Sequence, residues 1–269
     1  MVPRNVELSI DFPGLQTSSV YDTASHNVHC CRPSADNTNM VRKRTLVAHL
    51  LPLAALLHRA LALPSSPDPA SRFSLSHISI AELTGLLDAG ALTSHELTSL
   101  YLARIAEVND ALRAVIEADP SALAVASQRD YERARDPGHR GPLHGIPILI
   151  KDNFAVGPLF SSPNDPAAML TGAGSTCLAH AAGRPAADAE VVARLRGAGA
   201  VVLGKTNLDE LSGIRGVGLP HGWSPRGGQA VGPYVERQTP CGSSGGSAVA
   251  AALGLAAAAL GTETAGSVS

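Results

Sequence analysis

Lysine is rare in this chain, and one of its three lysines, Lys151, directly follows a short apolar run. The run Gly145–Ile150 (GIPILI) has the composition of a buried strand, so Lys151 would stand at the strand end. Burial disfavours an ammonium group, and a pKa about three below the usual value of about 10.4 would leave much neutral amine at pH 7. A neutral amine can take a proton from a serine. A lysine that reaches solvent or pairs with Asp152 remains the alternative.

Two Gly- and Ser-rich segments later in the sequence supply candidate hydroxyl groups. Ser243 lies within Thr239–Ser247 (TPCGSSGGS), where the glycines permit tight backbone conformations. Ser267 ends the run Thr264–Ser267 (TAGS), whose small residues could direct successive N–H groups at an oxyanion. A flexible linker is the alternative for each segment alone, but apolar helix and strand patterns surround both.

Two other segments match motifs of different enzyme classes without the required context. Gly199–Thr206 (GAVVLGKT) matches the P-loop, but the residues between its glycines favour a buried strand, which cannot wrap a phosphate. We therefore interpret Lys205 as a structural residue. Gly242–Gly246 (GSSGG) matches the nucleophile elbow, which requires an acid and then a histidine downstream. The last histidine is His221, so a Ser–His–Asp triad in that order is excluded.

Capping patterns and apolar periodicity predict the elements that would position these residues. Capping boxes at Ser79 and Thr93 predict two helix starts. Further helices are predicted over 120–135, 188–196 and 248–254, and strands over 145–150, 200–203 and 255–260. This alternation of helices and strands is typical of a layered α/β domain.

Four long segments, in order along the chain, resemble the amidase signature family. They are Gly141–Asn153 (GPLHGIPILIKDN), Asp188–Glu210 (DAEVVARLRGAGAVVLGKTNLDE), Gly222–Val235 (GWSPRGGQAVGPYV) and Thr239–Ser267 (TPCGSSGGSAVAAALGLAAAALGTETAGS). The segment around GWSPRGGQ is most similar to amidases of fungi and plants. The resemblance implies an α/β fold with a mixed β-sheet flanked by helices. Because the family domain continues beyond the nucleophile, we expect this one to be truncated after it.

The resemblance also implies a role for each site residue. Lys151 is the catalytic base, Ser243 is the serine with a cis peptide bond that bridges base and nucleophile, and Ser267 is the nucleophile. The implied oxyanion hole consists of the backbone N–H groups of Thr264, Ala265 and Gly266. Ala265 stands where the family usually has Gly or Asp, and its methyl group would narrow the pocket or disfavour a positive φ.

These roles imply hydrolysis of a small-molecule carboxylic amide through an acyl-enzyme, with no metal and no organic cofactor. Two alternatives stay open: an inactive truncated fragment, and the amidase subunit of a tRNA-dependent amidotransferase. The net charge of -2 at pH 7 gives no preference for nucleic acid, so we expect no nucleic-acid partner.

The first 72 residues divide into three segments by composition. Residues 1–39 lack helical or strand periodicity, which predicts disorder or an upstream extension. Residues 40–62 combine a basic cluster, an apolar run and an A-x-A triplet, the pattern of a secretory signal peptide too short for a stable membrane span. Residues 63–72 are predicted to be a linker, and 73–269 the N-terminal portion of the amidase signature domain.

If translation starts at Met40, we expect a secreted protein whose leader is removed near the A-x-A triplet at 60–62; otherwise we expect a cytoplasmic one. N-terminal sequencing of the exported protein checks this. A mature protein that keeps residues 1–39 would contradict the signal peptide.

Overall fold

The computed structural model describes residues 74–268 except 137, 139, 160–167, 183 and 217. The predicted extension, signal peptide and linker lie outside these residues. Within the described part of the chain, no helix is both long enough and apolar enough to cross a membrane.

The first two helices of the described residues begin at the predicted capping boxes. The Ser79 hydroxyl accepts the N–H of Glu82 at 3.2 Å, while the Glu82 carboxylate accepts the N–H of Ser79 at 2.8 Å. Thr93 and Glu96 form the same reciprocal pair. These caps start α1 (Ile80–Asp88) and α2 (Ser94–Leu112). Each box satisfies backbone donors that would otherwise lack partners.

Six strands and four further helices follow within the described part of the chain. The strands are β1 (Val115–Ala118), β2 (Pro147–Lys151), β3 (Val201–Thr206), β4 (Trp223–Ser224), β5 (Gly228–Gln229) and β6 (Ala258–Leu260). The helices are α3 (Ala122–Arg135), α4 (Thr176–Ala182), α5 (Glu190–Gly197) and α6 (Gly245–Ala252). A 3₁₀ turn covers Glu210–Gly213.

The main sheet is mixed and has the strand order β1–β3–β2–β6. β1 runs antiparallel to β3, whereas β2 runs parallel to both β3 and β6. β4 and β5 form a separate two-stranded sheet. The predicted mixed sheet flanked by helices is therefore confirmed. The sequence interpretation missed β1, α4 and the paired strands β4 and β5, which are too short for periodicity to separate them from loops.

Burial explains the composition of the two central strands. Every residue of β2 and of β3 is buried, so both strands are continuously apolar except at their C-terminal ends. The P-loop match falls on β3, an extended strand, which confirms that this segment is not a phosphate loop. Lys205 is fully buried within it.

Helix α6 packs closely over the sheet at Gly246. The Gly246 N–H donates to the Asn207 carbonyl at 3.0 Å. A Cβ atom at this position would overlap the carbonyl oxygen of Asn207 and lie 2.5 Å from that of Ala114, both of which are backbone atoms. Only glycine permits this approach, which places the N-terminus of α6 beside the sheet.

Gly246→Ala should therefore lower the free energy of unfolding by about 2–3 kcal/mol, because the backbone must shift to admit the methyl group. Gly197, at the end of α5, is the matched control. A Cβ there would have no neighbour within 4 Å, so Gly197→Ala should be neutral or stabilising by up to about 1 kcal/mol. Urea unfolding of both variants tests this; equal effects would contradict the packing argument.

Candidate active site

The parallel pairing of β2 with β6 brings Lys151 and Thr262 to one edge of the sheet. Ile150 pairs with Leu260, so Lys151 and the residues that follow β6 leave the sheet side by side. The Lys151 amine donates a hydrogen bond to the Thr262 hydroxyl at 2.8 Å. Lys151 is fully buried. The structure therefore excludes the alternative of a lysine that reaches solvent.

A chain of hydrogen bonds connects Lys151 to Ser243 and Ser267. The Lys151 Nζ atom lies 2.7 Å from Ser243 Oγ, across 92 positions of sequence. Ser243 Oγ in turn lies 2.9 Å from Ser267 Oγ. The structure thus brings together all three residues predicted from the sequence. Their order is amine, bridging hydroxyl, terminal hydroxyl.

The segment before α6 holds Ser243 within this chain of hydrogen bonds. The peptide bond between Gly242 and Ser243 is cis. The Ser243 carbonyl accepts the N–H of Asp209 at 3.2 Å, and the next residue, Ser244, donates its N–H to the Ser267 carbonyl at 3.2 Å. The two serine-bearing segments are thereby joined by backbone as well as side-chain hydrogen bonds.

Burial lowers the pKa of Lys151 to about 8, while the carboxylates of Asp209 and Glu263 act in the opposite direction. At pH 7 about one amine in ten would be neutral. As the pH rises through about 8, the amine changes from a proton donor into a proton acceptor.

Three hydroxyl groups surround the Lys151 amine. Besides Ser243 and Thr262, the Ser244 hydroxyl lies 2.9 Å from Nζ. Asn153 holds Thr262 in place by donating to its hydroxyl at 3.0 Å. Sequence reasoning missed Ser244, Thr262 and Asn153. The hydroxyls in GSSGG and GTET were the available signal, but only the sheet register shows that they meet at one amine.

Asp152, the sequence neighbour of Lys151, pairs with other cations. One Arg226 nitrogen lies 2.8 Å from both of its carboxylate oxygens, and Lys205 Nζ lies 3.6 Å away. Arg226 also contacts Glu117 at 2.7 Å. Burial lowers the pKa of Lys205 to about 8, against the opposing influence of Asp152. The alternative of a Lys151–Asp152 pair is therefore wrong, because Asp152 pairs with Arg226 and Lys205 instead.

The predicted oxyanion residues lie on the exposed turn before Ser267. Thr264, Ala265 and Gly266 are all exposed. The Gly266 N–H donates to the Glu263 carboxylate at 2.5 Å, and that carboxylate also accepts the N–H of Ser267 at 3.0 Å. The sequence interpretation did not include Glu263.

A cavity of about 380 Å³ opens beside this turn. Small residues line it, among them Cys241, Ala248, Gly261, Gly266 and Ser267. Among the described residues, no group of three or more His, Cys, Asp or Glu side chains is arranged to hold a metal ion.

Comparison with known proteins places this arrangement in a family. The model of the family described as Amidase matches residues 96–269. The chain belongs to the amidase signature family. A putative amidase from Arthroderma benhamiae is 46% identical over 168 residues, 62% of this chain and 26% of its own length. A probable amidase from Arabidopsis thaliana is 39% identical over 220 residues, 81% of this chain and 41% of its own.

Other amidase signature proteins are also similar to this chain. The solved structure of peptide amidase from Stenotrophomonas maltophilia has 49% identity and a TM-score of 0.60, over 71% of this chain and 36% of that one. One of the subunits of glutamyl-tRNA(Gln) amidotransferase from Azoarcus sp. is 42% identical over 191 residues, 71% of this chain and 35% of its own. The chain thus spans a quarter to two fifths of the length of these curated amidase signature relatives.

Lys151 should titrate with a midpoint near pH 8, well below an exposed lysine. The chain has three lysines, so a [¹³Cε]lysine NMR spectrum contains three signals to follow. Loss of one signal in Lys151→Met assigns it. A Lys151 midpoint above pH 10 would show that the amine is not desolvated.

Proposed function

We propose that the chain carries the reactive centre of an amidase that hydrolyses a carboxylic amide through an acyl-enzyme. The observation that carries the proposal is the continuous hydrogen-bonded path from a buried amine through Ser243 to Ser267. Membership of the amidase signature family supports it. The roles proposed are base for Lys151, proton bridge for Ser243 and nucleophile for Ser267.

Deprotonation of Lys151 reverses the direction in which hydrogen bonds are donated along this path. With an ammonium group, the amine donates to Ser243, which donates to Ser267. When Lys151 is neutral, its lone pair can accept from Ser243, and Ser243 can accept from Ser267. The Ser267 oxygen then has a lone pair free to attack a carbonyl carbon while its proton moves to Ser243 and the Ser243 proton moves to Lys151.

The bond changes then balance as an acyl transfer. Ser267 Oγ forms a bond to the amide carbon, and the tetrahedral intermediate collapses as the C–N bond breaks. The leaving nitrogen receives the proton that returns from Lys151 through Ser243. Water, deprotonated by the same path, attacks the ester and releases the acid, which restores the Ser267 hydroxyl.

Backbone N–H groups near Ser267 would stabilise the oxyanion. Thr264, Ala265 and Gly266 are the proposed donors, on an exposed turn. The Gly266 N–H, which donates to the Glu263 carboxylate here, would have to leave that carboxylate to bind the oxyanion. The adjacent cavity gives an amide carbonyl room to approach Ser267, and its small lining residues favour a substrate part without charge. The similarity of this chain to a peptide amidase supports a peptide amide as the first substrate to test.

Ser267→Ala should abolish both peptide-amide turnover and covalent labelling by a fluorophosphonate, because the path then ends without a nucleophile. Lys151→Ala should slow labelling about 10²–10⁴-fold through loss of the base. Mass spectrometry of the labelled peptide provides the measurement. Ser127→Ala is the matched control, since Ser127 is an exposed helix residue whose hydroxyl donates to the Leu123 carbonyl within the same helix.

The wild-type labelling rate should rise about tenfold per pH unit below about pH 8 and then level off, because only the neutral amine accepts a proton. Undiminished labelling in Ser267→Ala or in Lys151→Ala would show that the roles are misassigned. Labelling at another serine would have the same meaning.

A second candidate is the amidase subunit of an amidotransferase, which the similarity to the Azoarcus protein supports. Such a subunit would use the same path but act within a complex. Turnover of a peptide amide by the isolated protein favours the free-standing amidase. Turnover that appears only when the other components of such a complex are added favours the second candidate.

A further inference from the structure

His221 connects the protein surface to a buried carboxylate beside the proposed site. The His221 side chain is 64% exposed, and its Nδ1 atom lies 2.8 Å from a carboxylate oxygen of Asp209, whose side chain is only 10% exposed. A carboxylate can only accept a hydrogen bond, so Nδ1 carries a proton and donates it. The other Asp209 oxygen accepts the N–H of Gly222 at 2.5 Å. Both oxygens of this carboxylate are therefore bound.

Asp209 contacts the segment that carries Ser243. The Asp209 N–H donates to the Ser243 carbonyl at 3.2 Å. The Asp209 carboxylate packs against Gly242, because a Cβ atom on that glycine would lie 2.2 and 2.3 Å from the two carboxylate oxygens. Only glycine permits this approach. The carboxylate that His221 binds therefore lies against the backbone that positions the bridging hydroxyl.

The charges around His221 are few. The imidazole lines a cavity of about 140 Å³, and Asp209 and Glu210 are the acidic side chains among the described residues that line it. Glu210 is already paired with Arg215, at 2.6 and 2.7 Å. Asp209 favours the ammonium form of Lys151, against the effect of burial. A positive charge on the imidazole would offset this influence of Asp209.

We propose that His221 is a positioning residue that acts through Asp209: it holds the carboxylate against the Ser243 segment and, on binding a proton, offsets the negative charge that acts on the Lys151 amine. The inference rests on the proposed function for the roles of Ser243 and Lys151. A proton on His221 then disfavours the proton on Lys151, so the base becomes available at a lower pH than beside a neutral imidazole.

Three substitutions of His221 separate its hydrogen bond from its charge. His221→Asn places an amide nitrogen close to the position of Nδ1, so it keeps the donor but cannot bind a proton. His221→Arg carries a fixed positive charge. His221→Leu removes both the donor and the charge. None of the three adds a lysine, so the [¹³Cε]lysine spectrum keeps its three signals.

The Lys151 midpoint should respond to the charge at position 221. At low ionic strength it should lie about 0.5 pH unit lower in His221→Arg than in His221→Asn, because a cation there disfavours the ammonium group. The acidic limb of the fluorophosphonate rate at Ser267 should move in the same direction. Concentrated salt should reduce the difference, since position 221 is mostly exposed. A histidine that only ties down its loop would give equal midpoints.

Amide hydrogen exchange tests the positioning part of the proposal. In His221→Leu the N–H groups of Asp209 and Gly222 should exchange about tenfold faster, as expected for the loss of one hydrogen bond. The plateau labelling rate at Ser267 should fall at least about threefold, because a displaced Ser243 bridges less well. In His221→Asn, which keeps the donor, both amides should exchange at close to the wild-type rate.

His180→Arg is the matched control, because it adds the same charge at an exposed histidine of α4 that contacts the Thr176 carbonyl of its own helix. It should leave the Lys151 midpoint at the wild-type value. The other buried lysine provides an internal reference. The charged groups that act on Lys205 are Asp152, Arg226 and Glu117, so its midpoint should stay unchanged in every His221 variant.

Equal Lys151 midpoints in His221→Arg and His221→Asn at low ionic strength would overturn the proposal, as would an equal shift in His180→Arg. Unchanged exchange at Asp209 and Gly222 in His221→Leu would also overturn it. If neither the wild type nor any variant is labelled at Ser267, the proposed function fails. The lysine titration and the amide exchange still decide the role of His221 in that case.

Discussion

The burial of the Lys151 amine is the constraint on which the rest of the site depends. An ammonium group removed from water is costly, and here its immediate partners are three hydroxyls rather than a carboxylate. Hydroxyls satisfy the amine's hydrogen bonds without offsetting the cost of its charge. The amine therefore gives up its proton at a lower pH, while remaining hydrogen-bonded in either state.

The neighbouring strand carries a second buried lysine, whose pKa burial also lowers to about 8 but whose partners differ. Lys205 is also fully buried, but it lies beside the Asp152 carboxylate and donates to the Phe154 carbonyl and the Thr171 hydroxyl. Arg226 completes the network by binding Asp152 and Glu117. This arrangement occupies Asp152, the nearest acid in sequence, and so keeps it away from the Lys151 amine.

Local signals in the sequence predicted much of the fold. The capping boxes at Ser79 and Thr93 specify helix starts through residues three positions apart, so a short window suffices to find them. The buried strands β2 and β3 were visible as apolar runs. Strand β1 was not, because its four residues gain their structure from pairing with β3, a contact distant in sequence.

For the site, residue type and the family resemblance predicted Lys151, Ser243 and Ser267, but their companions depended on tertiary contacts. Thr262 becomes a partner of Lys151 only through the register of β2 with β6, at a separation of 111 positions. The sequence interpretation did not single out Glu263, because its contacts depend on the conformation of the turn that follows, which small residues leave unspecified.

The hydrogen bond from the Ser244 N–H to the Ser267 carbonyl has a consequence for how the site forms during folding. The amine, the bridging hydroxyl and the terminal hydroxyl come from three distant stretches of polypeptide that meet only after the sheet is assembled. A newly synthesised or partly unfolded molecule therefore exposes an ordinary, unreactive alcohol. With the roles proposed above, activation of the serine would be coupled to completion of folding, and nascent chains would be protected from premature acylation.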